Sequence, residues 1–358
     1  MHFDQLGDVL KAQGEPAFRL AQIKRAFFVE LQPDWEHVTV LSKTLRETLT
    51  SAMPWNTLAP LRVQESTDGA TVKTLFRCED GKTVEAVLMC HQDERNTVCV
   101  SSQVGCAMAC TFCATGTMGL KRNLTSEEIV EQVIHYARYL KAKGEGDVVT
   151  NVVLMGMGEP LHNYDNVMQA LKMLNDKAGF NFGARRMSIS TCGVVPGILR
   201  LADEPLQVNL AISLHAGTDE VRSKIMPVNK AYSLTKLMAA VRTYMEKTNR
   251  KVMFEYLLLK GVNDRPEDAQ AVADLLGEDV RLVHVNVIKY HDTLAFQSTD
   301  RGGRTDFVEQ LRALGIPATH RVTFGEDIDA ACGQLAVNES ASGIIQGSEA
   351  IKLNKAPV

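Results

Sequence analysis

Cys106, Cys110 and Cys113 stand at a C-x3-C-x2-C spacing in one short loop between Gly105 and Gly116. Three thiolates on so short a loop can wrap a single soft metal centre. A zinc site and three buried thiols are the plainer alternatives. A structural zinc wants four ligands, commonly as two separated pairs, and no second pair follows at the usual distance. The spacing therefore points to an iron–sulfur cluster held by three cysteines, which leaves one iron open to a substrate or cofactor.

Other chemistry-bearing residues lie further along the chain. Gly156, Gly158 and Glu159 precede Pro160. They read as a tight turn, or as a backbone that a ligand approaches closely, beside a carboxylate able to accept from an ammonium group. Ser190, the run Ser213, Leu214, His215, and His291 read as polar strand ends, and His291 adds a titratable ring. Cys78, Cys90 and Cys192 read as small buried hydrophobes. Cys99 stands apart from the cluster, and Cys332 sits among Ala330, Ala331 and Gly333, which leave it accessible. Glu85, inside an alternating run, is most simply an exposed strand residue. The basic pairs Lys121–Arg122 and Arg185–Arg186 are solvated surface or a local phosphate-binding face.

These residues need a scaffold, and the hydrophobic pattern supplies one. Helical spacing predicts short amino-terminal helices, the second with its apolar face on Phe18, Ile23, Phe27 and Phe28, and a third capped by Ser42. Alternating runs at 61–67, 70–78 and 83–90, separated by Asp68–Gly69 and Asp80–Gly81, predict a β-meander. Beyond it, strands predicted over 97–101, 150–155, 187–191, 208–214, 251–259 and 281–288 alternate with helices that include 126–141, 234–247, 266–276 and 304–314. Six βα units imply a parallel sheet covered by helices, a partial barrel whose chemistry belongs at the carboxyl ends of its strands. The polar clusters fall there. Domains are expected over 1–55 (a helical accessory domain), 56–91 (meander linker), 92–335 (core) and 336–358 (tail). A net charge of -4 gives no basic excess to steer the whole chain onto a polyanion, so any nucleic-acid site must be a local patch. No apolar run reaches the length of a membrane helix, and the amino terminus lacks a signal pattern. Eight cysteines are therefore expected in a reducing compartment, the cytoplasm.

The cysteine loop resembles that of the radical S-adenosylmethionine (SAM) enzymes. The stretch at 99–106, the loop at 156–160, the run at 213–215 and the segment at 327–335 narrow the likeness, and over nearly its whole length the chain resembles the RlmN/Cfr family of RNA adenine methyltransferases. The resemblance implies an α/β fold, a partial (β/α)6 radical SAM barrel with a small helical amino-terminal domain and the meander. It implies a 4Fe-4S cluster on Cys106, Cys110 and Cys113, and SAM, two per turnover, held through Gly158, Glu159, Ser190, Ser213, Leu214 and His215. His291 joins this set where the family has an asparagine. Cys332 would carry a methyl group, Cys99 would resolve it by forming a disulfide with Cys332, and Glu85 would accept a proton. The spacing from Glu85 to Cys99 is one residue longer than in the family. The implied reaction is methylation of an adenosine base carbon, carbon 2 in preference to carbon 8, in 23S rRNA and also tRNA. A radical SAM enzyme acting on a small molecule is the alternative class. An electron donor such as flavodoxin and a monomeric state complete the expectation.

Overall fold

Strands that are apolar on both faces can be satisfied only between two layers, and the computed structural model, which describes residues 1–144, 148–292 and 296–335, builds them into one sheet clothed by helices. The chain opens with α1 (Phe3–Ala12), α2 (Phe18–Phe28) and α3 (Lys43–Ala52), the last capped by the Ser42 hydroxyl, which accepts from the Leu45 N–H. Phe3, Phe27, Phe28, Trp35 and Trp55 form their aromatic core. The meander follows as β1 (Leu58–Glu65), β2 (Thr71–Cys78) and β3 (Thr83–Cys90). Both turns contain the expected glycine at positive φ.

The meander continues into the barrel sheet. β3 pairs antiparallel with β4 (Asn96–Cys99), and β4 pairs parallel with β7 (Asn151–Leu154) across a ribbon formed by β5 (Gln103–Val104) and β6 (Arg122–Asn123). The cysteine loop lies within that ribbon and contains the single-turn α4 (Ala114–Thr117). The parallel order then runs through β8 (Met187–Thr191), β9 (Asn209–Ser213), β10 (Val252–Leu258) and β11 (Val283–Lys289), ending on a short β12 (Ala318–His320). Six parallel strands in chain order, with no closing pair among the described residues, make the partial barrel that the pattern predicted, and β12 adds a seventh.

The helices α5 (Ser126–Lys143), α9 (Leu234–Thr248), α10 (Pro266–Leu276) and α11 (Arg301–Ala313) match their expectations closely. Three more connections are helical: α6 (Tyr164–Asn175), α7 (Val195–Ala202) and α8 (Asp219–Ile225). The tail expected over 336–358 lies outside the described residues. No helix among the described residues is long and apolar enough to cross a membrane.

Candidate active site

The carboxyl ends of the barrel strands surround a cavity of about 200 Å³. Cys106, Cys110 and Cys113 line it, as do Cys99 and Cys332. So do Gly158, Glu159, Ser190, Ser213, His215 and His291. Residues separated by more than two hundred positions thus meet on one rim, as the parallel topology requires. Leu214 does not line the cavity: it is fully buried, and its carbonyl accepts from Nε of Arg222 at 3.0 Å. None of the eight cysteines is in a disulfide; Cys332 is exposed and Cys99 buried. Cys78 and Cys192 are buried as expected, whereas Cys90 is partly exposed and Cys192 also touches the cavity.

The loop that carries the three thiols is held by backbone geometry. Gly105 takes φ 74, and a Cβ there would lie 1.9 Å from the Gly119 carbonyl oxygen, so a larger residue would drive the two ends of the loop apart. The Thr111 N–H donates to the carbonyl of Ile225, the last residue of α8, at 3.0 Å. Burial pushes all three thiols up, Cys106 to about 11, so it takes ligation by a soft metal centre to turn them into thiolates. The donor set fits a cluster.

The loop after β7 is fastened to the loop after β4. The Ser101 hydroxyl donates to the Glu85 carbonyl and accepts from the Met157 N–H, and the Glu159 N–H donates to Oε1 of Gln103 at 2.8 Å. Gly158 sits at φ 101 with Gln103 against it. The Glu159 carboxylate is buried and accepts from the Leu161 N–H at 2.9 Å and the Cys192 N–H at 2.8 Å. It faces the cavity with lone pairs to spare for an ammonium group.

Across the rim, the Leu257 N–H donates to Nδ1 of His215 at 3.0 Å, which fixes the neutral ring with its hydrogen on Nε2. Burial, reinforced by the Arg222 charge, lowers His215 to about 3. Its backbone is left-handed, φ 57, a strained setting for a residue that is not glycine. His291 is buried, its Nδ1 is 3.9 Å from Glu326, and its Nε2 has no hydrogen-bond partner among the described residues. A buried, unsatisfied ring nitrogen on the cavity wall is what a bound polar cofactor would complete.

One expectation about Glu85 is overturned. It is not an exposed strand residue but a buried one, 3% exposed, with Oε1 3.4 Å from Nζ of Lys73. Strand register explains this. Val87 pairs with Lys73 on one side and Cys99 on the other, so Lys73, Glu85, Val87, Met89 and Cys99 share the face of the meander turned toward the cavity. Glu85 lies just beyond the lining formed by Val87 and Met89. The segment preceding Cys332 covers that face: Thr67 donates through N–H and hydroxyl to Asp327, and Lys73 donates to the Asp329 carbonyl. After Cys332, the Gly333 carbonyl accepts from the Ala114 N–H at 2.8 Å, joining the segment to the cluster loop.

Besides Lys73, two cations were not singled out from the sequence. Arg222 is fully buried and donates to the carbonyls of Cys192, Ser213 and Leu214 and to Asn229 Oδ1, tying the ends of β8 and β9. Arg321 lines the cavity between Glu255, at 3.1 Å, and the Met155 sulfur, at 3.2 Å. Its charge pulls Cys99 down, while burial and then the Cys332 charge push that thiol up, to about 12. Of the basic pairs, Arg122 is engaged internally with Asp80 and Glu128.

A sheet of this order with three thiols at its rim defines a radical SAM enzyme, and the radical SAM superfamily pattern matches residues 100–276. That superfamily implies a 4Fe-4S cluster and SAM. The chain is 47% identical over 350 residues, covering 95% of itself and 92% of its relative, to a Chloroflexus aurantiacus protein described as a "probable dual-specificity RNA methyltransferase RlmN". It is 44% identical to a protein of Staphylococcus saprophyticus with the same description, at the same coverage. The crystal structure of a radical SAM methyltransferase from Sphaerobacter thermophilus superposes with a TM-score of 0.88 at 47% identity, over 94% of this chain and 97% of that one. The chain belongs to the RlmN family of radical SAM RNA methyltransferases.

Proposed function

We propose that the enzyme methylates carbon 2 of an adenosine in ribosomal RNA, and of an adenosine in transfer RNA, through a methyl group carried on Cys332. The observation that carries this reading is the placement of Cys332: an exposed thiol, on a segment fastened to both the meander and the cluster loop, lining the same cavity as Cys99 and the three loop thiols. A base carbon between two nitrogens is electron-poor, so direct attack on a sulfonium methyl is unpromising and a radical route is required. Bound together, the cluster on Cys106, Cys110 and Cys113 and SAM supply a 5′-deoxyadenosyl radical.

The chain's own residues do the rest. Gly158, Glu159, Ser190, Ser213, His215 and His291 would hold SAM, and Leu214, turned from the cavity, would support its neighbours. The Cys332 thiolate is the nucleophile that accepts the methyl group and then presents it to the ring. Glu85 takes the ring proton. Cys99, giving up its proton, attacks the Cys332 sulfur; the S–C bond breaks with its electron pair going to carbon, which takes a proton to become the methyl group, and the Cys99–Cys332 disulfide left behind is reopened by a dithiol reductant. Closure of the cavity by the 325–333 segment excludes water from the radical. A one-electron donor of the flavodoxin type and a monomeric, cytoplasmic enzyme accord with this chemistry.

Methylation of Cys332 requires only SAM and a thiolate, so it should be present before RNA is added. Mass spectrometry of the tryptic peptide that follows Arg321 should find one extra methyl group in protein isolated from cells. Cys332→Ala should lose it together with all RNA methylation, while retaining the cluster. An unmodified peptide in active enzyme would refute the carrier role, and a product methylated at carbon 8 would refute the choice of position.

A further inference from the structure

Lys73 is buried, 5% exposed, and the steps above give it no task. It stands opposite Val87 on the face that bears Glu85, with Nζ 3.4 Å from Glu85 Oε1 and donating at 3.1 Å to the Asp329 carbonyl. A buried ammonium is costly to desolvate, and its long stem could have carried it to water. Here it bridges two parts of the chain more than two hundred residues apart. One is the carboxylate proposed to accept the ring proton. The other is the backbone three residues before the proposed methyl carrier.

We propose that Lys73 is a positioning residue that holds the Glu85 carboxylate ionised and in place when the Cys332 segment is closed over the cavity. The proposal rests on the reading of Glu85 as the proton acceptor. The groups that face Glu85 come from several elements. β2 presents the Lys73 ammonium, and β4 presents the Cys99 thiol. α5 presents Tyr136, whose hydroxyl donates to the carbonyls of Val72 and Ala86, and the covering segment presents the neutral Asp329 carbonyl. Burial favours the neutral carboxyl, and charge on Cys99 or Tyr136 would act in the same direction. Burial keeps both of those groups protonated, and the ammonium opposes it.

With Lys73 in place, Glu85 can accept: once the adduct radical has passed its unpaired electron to a one-electron acceptor, the ring C–H bond breaks, its electron pair stays in the ring, and the proton goes to a carboxylate oxygen. With a neutral side chain at 73, burial would favour the protonated carboxyl, which cannot accept. Where the protonated form dominates, each added pH unit would raise the ionised fraction about tenfold.

The test uses reconstituted full-length enzyme, an RNA substrate, and single-turnover decay of the covalent RNA–protein adduct from pH 6.5 to 9. Lys73→Met should accumulate the adduct near pH 7 and resolve it about tenfold faster per pH unit above that. Lys73→Arg should restore a wild-type profile, and Glu85→Gln should trap the adduct at every pH. Cluster content and 5′-deoxyadenosine formation report whether each variant is folded. If Lys73→Met resolves the adduct at the wild-type rate, or is slowed equally at every pH, the role of Lys73 is overturned while trapping by Glu85→Gln leaves the Glu85 reading standing. Should Lys73→Met fail to fold, a Lys73→Arg enzyme that traps adduct overturns the proposal. Normal turnover by Glu85→Gln removes the reading of Glu85 itself, and the role of Lys73 falls with it.

Discussion

Replacing Arg222 with methionine would keep much of its buried bulk while removing every donor it supplies. The guanidinium donates to the carbonyls of Leu214 at 3.0 Å, Cys192 at 2.7 Å and Ser213 at 3.1 Å, and to Asn229 Oδ1 at 2.9 Å. Burial lowers its pKa, yet a guanidinium keeps its charge over any ordinary pH range. Breaking a buried charged network by removing one partner typically costs about 3–5 kcal/mol. Here the cation itself is removed, so the lower end applies: about 3 kcal/mol, roughly 1 kcal/mol for each orphaned backbone carbonyl. The loss falls on the strand ends that bear Ser190, Ser213 and His215. It also reaches α8, whose Ile225 carbonyl receives the Thr111 N–H of the cluster loop. Anaerobic urea denaturation should show the destabilisation, and calorimetry should show SAM affinity falling about tenfold, the equivalent of roughly 1.4 kcal/mol, with the cluster still assembled. A variant within 1 kcal/mol of wild type and with unchanged SAM affinity would refute the argument that Arg222 organises the rim.

Gly158→Ala should be strained twice over, because φ is 101 and the new Cβ would lie 2.6 Å from Gln103 Cβ. A loss of about 3 kcal/mol in the urea midpoint analysis is expected from backbone strain plus overpacking, with weaker SAM binding; wild-type stability would mean that the loop yields freely. His215 predicts a pH dependence. Its pKa is lowered in the fold, to about 3, so the unfolded chain binds more protons below about pH 6.5 and stability falls as pH drops through that range. Between pH 8 and pH 5 this one ring should contribute about 2 kcal/mol of the loss, and His215→Gln should remove that share of the slope. Identical slopes in the two proteins would show that the ring is not buried neutral.

What was legible in the sequence was what is encoded locally. The cluster thiols fall within one loop, the capping box of α5 is formed by Thr125 and Glu128, and the six strands announce themselves by β-branched apolar runs. The helices α6, α7 and α8 were harder to find, since α7 and α8 have only eight and seven residues, too few to develop a clear period. Glu85 misled because alternation along β3 marks two faces without saying what covers each. The cover is supplied by residues 325–329, more than two hundred positions later. Arg222, Arg321 and Lys73 were invisible for the same reason: a buried cation is recognised by its acceptors, and theirs are brought together by the tertiary fold.

The shared face of the meander has a consequence for how the enzyme can vary. Side chains on a strand alternate with a period of two, so Lys73, Glu85, Val87, Met89 and Cys99 are phase-locked through the pairings of β2, β3 and β4. A one-residue slip between β3 and its neighbours would turn Glu85, Val87 and Met89 away from the cavity at once and bring the opposite face of the strand, with Val84, Ala86 and Leu88, toward it. Drift in composition along these strands is gradual in its effects, but drift in register is all or none. The hairpin turns at Asp68–Gly69 and Asp80–Gly81 thus act as spacers whose length counts for more than their chemistry, and a site that depends on five residues across three strands can be lost through a single frame error in a turn that touches none of them.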